Sequence, residues 1–571
     1  MPEPIVEFDH FSFQYNAQAE PTLHDINLKI YPGEKVLIAG SSGCGKSTKV
    51  NCINGLIPFT YKGTIQGSLR INGKATVDQS IAELSDVVGT VLQDTDSQFV
   101  GMTVLEDIAF VLENECVSQA EMYDRVKRAA EIVGIQDHLV YSPNELSGGQ
   151  RQRVSIAGVM VDDVPLLLFD EPLANLDPAT GKSAIQLIDD IQKQTGATVI
   201  IVEHRIEDVL YCDVDRIILV DDGRIIFDGS TDELLAGDLL TRSGLREPLY
   251  VTALKYAGVE LTEEMHPSSI SRVAIPEEGK EKVRNWYSQR NVSREEKEKQ
   301  SLLSLNSIKF AYDNKPLTIK GVDLDIGKGE LVAIVGKNGA GKTTLAKLIC
   351  GFEKPSDGEI TLEGEDLLQF SIKERADRIG YVMQNPNKMI SQVMIFDEVA
   401  LGLRSRKVEE DVIREKVENI LKVCGLYEFR EWPISALSYG QRKRVTIAAI
   451  LVLDPKIIIL DEPTAGQDFR HYTDIMEFLR SLRDLGITII MITHDMHLML
   501  EYAERSIVLC DGEIIADTSS ADLLTDLSIV KLADLKETSL YDLALRCGID
   551  DATAFVQCFI DYDREVRSHG I

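Results

Sequence analysis

The chain has 571 residues, 44% hydrophobic and 27% charged, with a formal net charge of -32. That length exceeds a single hydrophobic core and, at about 150 residues per domain, fits three or four modules. No apolar run approaches the roughly 18 residues needed to cross a bilayer, and the acidic balance repels nucleic acid and anionic lipid, so any membrane role requires a protein partner.

Taken in order, the N-terminus (Met1-Pro2-Glu3-Pro4) lacks the basic and apolar regions of a signal peptide. Alternation predicts strands over Ile5 to Tyr15 and Leu23 to Ile30, separated by a polar turn. The apolar run Val36-Leu37-Ile38-Ala39 then leads into Gly40-Ser41-Ser42-Gly43-Cys44-Gly45-Lys46-Ser47, with Thr48 following, and this fits G-x-x-x-x-G-K-[ST] at each defined position. Its glycines let successive backbone N–H groups face a polyphosphate with a helix N-terminus behind them; Lys46 reaches the β/γ phosphates and Ser47 is a Mg²⁺ ligand. Ala82 to Arg128 reads as largely helical, and a helix is expected from Ser147 to Met160. Leu166 to Phe169 and Thr198 to Val202 read as buried parallel strands, and Arg216 to Val220 with Arg224 to Phe227 as a hairpin around Asp221-Asp222-Gly223. From Leu261 to Gln300 the composition turns charged with mixed signs, which predicts a solvated, partly helical linker.

The chain is then written a second time. Gly336-Lys337-Asn338-Gly339-Ala340-Gly341-Lys342-Thr343, with Thr344 following, repeats the phosphate loop. Leu146-Ser147-Gly148-Gly149-Gln150 returns as Leu437-Ser438-Tyr439-Gly440-Gln441, the acidic pair Asp170-Glu171 as Asp461-Glu462, and His204 as His494. Order and spacing preserved across four motifs indicate duplication of a whole domain. Leu249-Tyr250 echoes Leu540-Tyr541, so each half carries a C-terminal helical appendage. The expected division is 1–245 for the first nucleotide-binding domain, 246–300 for its appendage and the charged linker, 301–520 for the second domain and 521–571 for a terminal appendage. The expected fold is α/β, two tandem P-loop domains each with a mixed sheet, an antiparallel edge and a helical subdomain.

The repeated polar groups suit nucleotide hydrolysis. Asp170 and Asp461 end apolar strands where they can hold Mg²⁺, and Glu171 and Glu462 can orient or deprotonate the attacking water. His204 and His494 can bond the γ-phosphate or that water, and Gln93 and Gln384 can offer an amide oxygen to Mg²⁺ and to the water. Tyr15 and Tyr312 precede the loops and could stack on a nucleobase or serve as core aromatics. The Ser-Gly-Gly helix start is suited to an anion. Cys44, near a helix N-terminus, is expected to have a lowered thiol pKa. The nine cysteines show no C-x-x-C pair, which fits free thiols in a reducing cytosol, and the sequon Asn291-Val292-Ser293 is discounted with them.

In this order the motifs resemble the nucleotide-binding domains of ATP-binding cassette (ABC) proteins, over both halves. That resemblance implies a head-to-tail pairing in which each ATP lies between one domain's phosphate loop and the other's signature. One site would join Lys46, Ser47, Gln93, Asp170, Glu171 and His204 to Ser438 and Gly440; the other would join Lys342, Thr343, Gln384, Asp461, Glu462 and His494 to Ser147 and Gly149, with Gly148, Gln150 and Gln441 among the nucleotide-binding residues of the signatures. Two departures stand out, Tyr439 for the first signature glycine and Gln467 where Leu176 stands in the first half. Gln93-Asp94-Thr95-Asp96-Ser97-Gln98-Phe99, followed by Thr103-Val104-Leu105-Glu106-Asp107, is similar to the ATPases of energy-coupling factor importers and the related cobalt transporters. That likeness implies an ATPase at the cytoplasmic face of the membrane. It would drive uptake of a vitamin, a vitamin precursor or a transition-metal ion through a transmembrane coupling protein and a substrate-capturing membrane protein, with ATP and Mg²⁺ as cofactors and no nucleic acid. The alternatives are a soluble twin-cassette ATPase acting on the ribosome, against which Gln150, Gln441 and the acidic balance count, and the fused ATPase of a sugar importer.

Overall fold

The structure, a computed structural model, describes residues 3–93, 98–174, 176–290, 300–313, 316–464, 467 and 469–569. The chain forms two units, Met1–Val283 and Arg284–Ile571, built on one plan.

In the first unit β1 (Val6–Tyr15), β2 (Leu23–Ile30), β4 (Gly63–Ile71) and β5 (Lys74–Ala75) form an antiparallel sheet in the order β2-β1-β4-β5. Strict alternation along β1 would point Phe8 and Phe11 to opposite faces, yet both are buried. A register shift between Asp9 and Ser12, with His10 in the left-handed region, turns Phe11 back inward. The second sheet runs β10-β9-β3-β8-β7-β6, from β3 (Lys35–Gly40), β6 (Val88–Val91), β7 (Leu166–Asp170), β8 (Thr198–Val202), β9 (Arg216–Asp221) and β10 (Arg224–Gly229). All pairs are parallel except β9 with β10. Its central strands are buried along their length, as their unbroken apolar runs require of a sheet covered on both faces. Phe8, Phe13, Ile38, Val50, Leu168 and Ile200 join the two sheets and the phosphate-loop helix in one core.

The second unit repeats this with β11 (Ser301–Phe310), β12 (Ile319–Gly327), β14 (Asp357–Leu362) and β15 (Glu365–Asp366) in the antiparallel sheet. Its mixed sheet runs β16-β17-β18-β13-β19-β20, from β13 (Leu331–Val335), β16 (Ile379–Val382), β17 (Ile457–Asp461), β18 (Thr488–Ile492), β19 (Arg505–Cys510) and β20 (Glu513–Thr518). Each unit carries three subdomain helices: Val104–Asn114, Gln119–Val133 and Gly148–Met160, matched by Ile395–Ser405, Glu410–Val423 and Tyr439–Leu451. The expected α/β architecture with an antiparallel edge is present in both halves. The stretch from Ala82 to Arg128, read as largely helical, also contains β6, four residues too short to show a period.

The appendage of the first half contains Leu249–Tyr256 and that of the second Ser539–Arg546 and Ala552–His569. Within the stretch expected to be a solvated linker, Glu277–Ser288 is a helix that buries Val283 and Trp286. Its charges line one face and leave an apolar stripe, and the ring of Trp286 meets Phe555 and Tyr562 edge to face. Residues 291–299, with the sequon, lie outside the described residues. Among the described residues no helix is long and apolar enough to cross a membrane.

Candidate nucleotide site

Each phosphate loop links the end of a buried strand to a helix, Lys46–Ile53 after β3 and Lys342–Cys350 after β13. The glycines are required by space and by conformation. A Cβ on Gly40 would lie 2.4 Å from Val220 O, one on Gly336 2.0 Å from Leu509 O, and Gly43, Gly45, Gly339 and Gly341 all have positive φ. The lysines are held over the loop by its own carbonyls. Lys46 Nζ donates to Gly40 O (2.7 Å) and Ser41 O (2.8 Å), and Lys342 Nζ to Gly336 O (2.7 Å) and Lys337 O (3.0 Å). Ser42, Asn338 and Gly339 are exposed at the loop crests, as are Ser47 and Thr343 at the helix starts. Ala340 occupies the place of Cys44 and is buried like it.

The acidic pairs sit at the ends of β7 and β17. Glu171 and Glu462 have φ of 48° and 47°, a left-handed conformation uncommon for a non-glycine residue, and each donates its N–H to the neighbouring strand, Glu171 to Val202 O and Glu462 to Ile492 O. The turn aims the carboxylates away from the strands toward the glutamine and histidine. Gln93 Nε2 donates to Glu171 Oε2 at 2.6 Å, with His204 Nδ1 3.7 Å from Oε1. In the second half His494 Nδ1 lies 2.7 Å from Glu462 Oε1. Burial opposes a charge on His204, but its bond to Glu171 and the negative charges of Glu203 and Glu171 hold the imidazolium above its usual range.

The groups expected to hold metal fit a small hard cation. Burial, reinforced by the charge of Glu171, pushes Asp170 up to about 6, and its Oδ1 is buried with no hydrogen-bond partner. Thr343 Oγ1 donates to Asp461 Oδ2 at 3.2 Å. A hydroxyl beside a carboxylate, with an oxygen lacking a partner in the first half, is the oxygen donor set that Mg²⁺ takes together with phosphates.

Tyr15 and Tyr312 meet Phe13 and Phe310 edge to face, each with centroids 4.8 Å apart, and their hydroxyls lie 3.2 Å from Thr48 Oγ1 and Thr344 Oγ1. These contacts link the antiparallel sheet to the phosphate-loop helix. Cys44 departs from expectation. Its side chain is buried and burial raises the thiol, outweighing the nearby Lys46 and Lys49 ammoniums. In both signatures the serine and glutamine hold the helix start reciprocally. Gln150 N donates to Ser147 Oγ and Ser147 N to Gln150 Oε1, and Gln441 and Ser438 do the same. Gly148 leaves its helix start open, whereas Tyr439 donates its hydroxyl to Gln384 O at 3.2 Å. Gln467 is described; Asp94 to Ser97, Asn175, Ala465, Gly466 and Asp468 lie outside the described residues.

Four contributors escape a reading by motif. Glu203, fully buried, accepts N–H bonds from Leu173, His204 and Arg205 and so joins the turn after Glu171 to the histidine loop. Lys443, also fully buried, donates to Met383 O (2.7 Å) and Gln384 O (2.8 Å), whereas Gln152 at the same place in the first half donates to Pro172 O. Lys49 and Tyr381 are the others. Each of the four differs between the halves, where Thr493, Gln152, Leu345 and Thr90 stand at the matching positions, and that mismatch is the signal by which an internal alignment could have found them.

Residues 23–174 and 319–465 match the model of the ABC transporter family, and 237–310 match a model described as ATP-binding cassette cobalt transporter. A protein of Clostridium perfringens named as an ABC transporter ATP-binding protein is 57% identical over 564 residues, 99% of each chain. One of Enterococcus faecalis with the same name is 55% identical over 568 residues, 99% of this chain and 100% of its own. The solved structure of cbiO1 from Clostridium perfringens, described as part of the ABC transporter complex cbiONQ, covers 40% of this chain and 93% of its own at 34% identity and a TM-score of 0.38. With two complete sets of phosphate loop, signature, acidic pair and histidine, a family model matched over both halves and relatives matched across its length, the chain belongs to the ABC transporter ATP-binding proteins and is an ATPase with two cassettes in one polypeptide.

Proposed function

We propose that the chain is the energy-coupling subunit of an importer of the energy-coupling factor type, held at the cytoplasmic face of the membrane by integral membrane partners. It powers uptake of a vitamin, a vitamin precursor or a transition-metal ion. The observation that carries this reading is the cobalt-transporter model matched over residues 237–310, a region outside both cassette matches. The surface after each glutamine supports it. Val100, Met102 and Val140 in the first unit are 64%, 84% and 81% exposed, and Val393 and Trp432 in the second are 74% and 48% exposed. Apolar side chains this open suit the helices of a membrane partner.

In this mechanism Lys46 and Lys342 hold the β/γ phosphates, pre-oriented by their loop carbonyls. Ser47, Asp170 and Gln93, or Thr343, Asp461 and Gln384, would hold Mg²⁺, which would supply charge neutralisation on the phosphates. Glu171 and Glu462 take the proton of the attacking water, and His204 and His494 orient that water and the γ-phosphate. Each ATP is closed over by the signature of the other cassette, Ser438 and Gly440 for the Lys46 site and Ser147 and Gly149 for the Lys342 site, so that hydrolysis reopens the pair and moves the membrane partners. The test is affinity purification of the full chain from detergent-solubilised membranes of its own host. Integral membrane proteins that raise its ATP turnover are the expected companions; sedimentation with ribosomes and no membrane companion contradicts the reading.

A further inference from the structure

The two metal-binding carboxylates are supported differently, and the difference traces to one position on the strand beside each. Thr90 pairs with Leu168, two residues before Asp170, and Tyr381 pairs with Ile459, two residues before Asp461. In a sheet the residue two along shares the same face, within diagonal reach of an aromatic side chain but not of a threonine. Tyr381 OH accordingly donates to Asp461 Oδ2 at 2.8 Å. In the first half Thr90 Oγ1 and Asp170 Oδ1 are both buried without a hydrogen-bond partner. One phenol thus supplies what two orphaned atoms lack at the matching place. The ring is fixed as well, edge to face with Phe352 at 5.9 Å.

We infer that Tyr381 is a positioning residue for the second site alone: its hydroxyl fixes the Asp461 carboxylate for a divalent cation, and the two ATP sites of this chain therefore differ in their demand for metal. The inference rests on the assignment of Asp461 as a metal ligand in the proposed function. With Oδ2 taking bonds from Tyr381 and Thr343, the carboxylate is oriented before metal arrives. Asp170, beside a threonine too short to reach it, keeps the Ser47 hydroxyl but has no counterpart of the Tyr381 bond, and its Oδ1 is left without a partner. Partners of this kind behind a ligand typically change metal affinity 10- to 100-fold.

The test uses the full chain with Mn²⁺ as the probe, its binding read by electron paramagnetic resonance at fixed ATP. Lys46→Ala with Glu462→Gln confines nucleotide to a second site that does not turn over, and Lys342→Ala with Glu171→Gln does the same for the first. In the former background Tyr381→Phe, which keeps the ring and removes only the hydroxyl, is expected to raise half-saturating Mn²⁺ about tenfold. In the latter it is expected to leave the value unchanged, while Thr90→Tyr lowers it. A Tyr381→Phe shift below twofold, or an equal shift in both backgrounds, overturns the inference. Nucleotide binding in EDTA, which should not respond to Tyr381→Phe, separates the two levels: a parent that binds no nucleotide at all overturns the site assignment itself, and the tyrosine's role with it.

Discussion

Replacing Lys49 with leucine, the residue that Leu345 supplies at the same turn of the second half, is expected to stabilise the first unit. Lys49 is fully buried and its Nζ has no hydrogen-bond partner. Nothing nearby compensates its charge: Cys44 and Cys52 stay protonated because burial raises both thiols, and Lys46 is a like charge. Burial consequently pulls the ammonium from 10.5 down to about 8. At about 1.36 kcal/mol per pH unit this corresponds to about 3 kcal/mol lost to holding the charge inside the fold. The folded-state pKa is the lower one, so the unfolded chain binds more protons between pH 8 and 10.5 and wild-type stability rises with pH across that window. The gain from Lys49→Leu should be complete at pH 7, fall to about half near pH 9.5 and vanish above 10.5. Both tryptophans, Trp286 and Trp432, belong to the second unit, so their fluorescence does not report on the first. Pulse proteolysis in urea with mass detection of peptides from β3 and β7 does. A variant no more stable than wild type at pH 7, or a gain that does not shrink toward pH 9.5, refutes the reasoning.

Three other outcomes are expected. Glu171→Gln and Glu462→Gln, made singly, should each lower steady-state ATP turnover, and a site that lost its proton acceptor should slow by about 10² to 10⁴-fold; a change that leaves the rate untouched marks that site as non-hydrolytic. Gly336→Ala should abolish nucleotide binding by the second half in a Lys46→Ala background, because its Cβ meets Leu509 O and φ is 138°, and photoaffinity labelling with an azido-ATP reads this directly. Maleimide at pH 7 should modify exposed Cys116 well before buried Cys44; rapid labelling of Cys44 in the native chain would contradict the burial argument.

The parts legible from sequence were those that a local pattern determines. A G-x-x-x-x-G-K-[ST] loop after four apolar residues, an acidic pair after another such run and a histidine closing a third mark the ends of three buried strands; that these strands, β3, β7 and β8, lie side by side came only from the fold. Their repetition predicted the second unit. The bulge in β1 was not legible, because a register shift depends on which aromatic residue wins the core, and neither was β6. The lowered thiol expected for Cys44 followed from its place near a helix N-terminus, but depth of burial, which a motif does not carry, reversed it. The tether from Tyr381 to Asp461 joins positions 80 residues apart and exists only once strand neighbours and register are known. Lys443 illustrates the same limit: in sequence it is one of three consecutive basic residues after the signature, and in the fold it is fully buried against the backbone of the glutamine loop.

The central claim is that each cassette completes the other's ATP site. It is tested most directly by trapping azido-ATP on the Glu171→Gln, Glu462→Gln chain and mapping the label after photolysis to peptides of each half, with and without Ser438→Arg. Loss of label from the Lys46 loop with the Lys342 loop still labelled is the predicted result. Loss confined to the Lys342 loop, or no loss at either, would show that each signature serves its own half or neither, and would contradict the account.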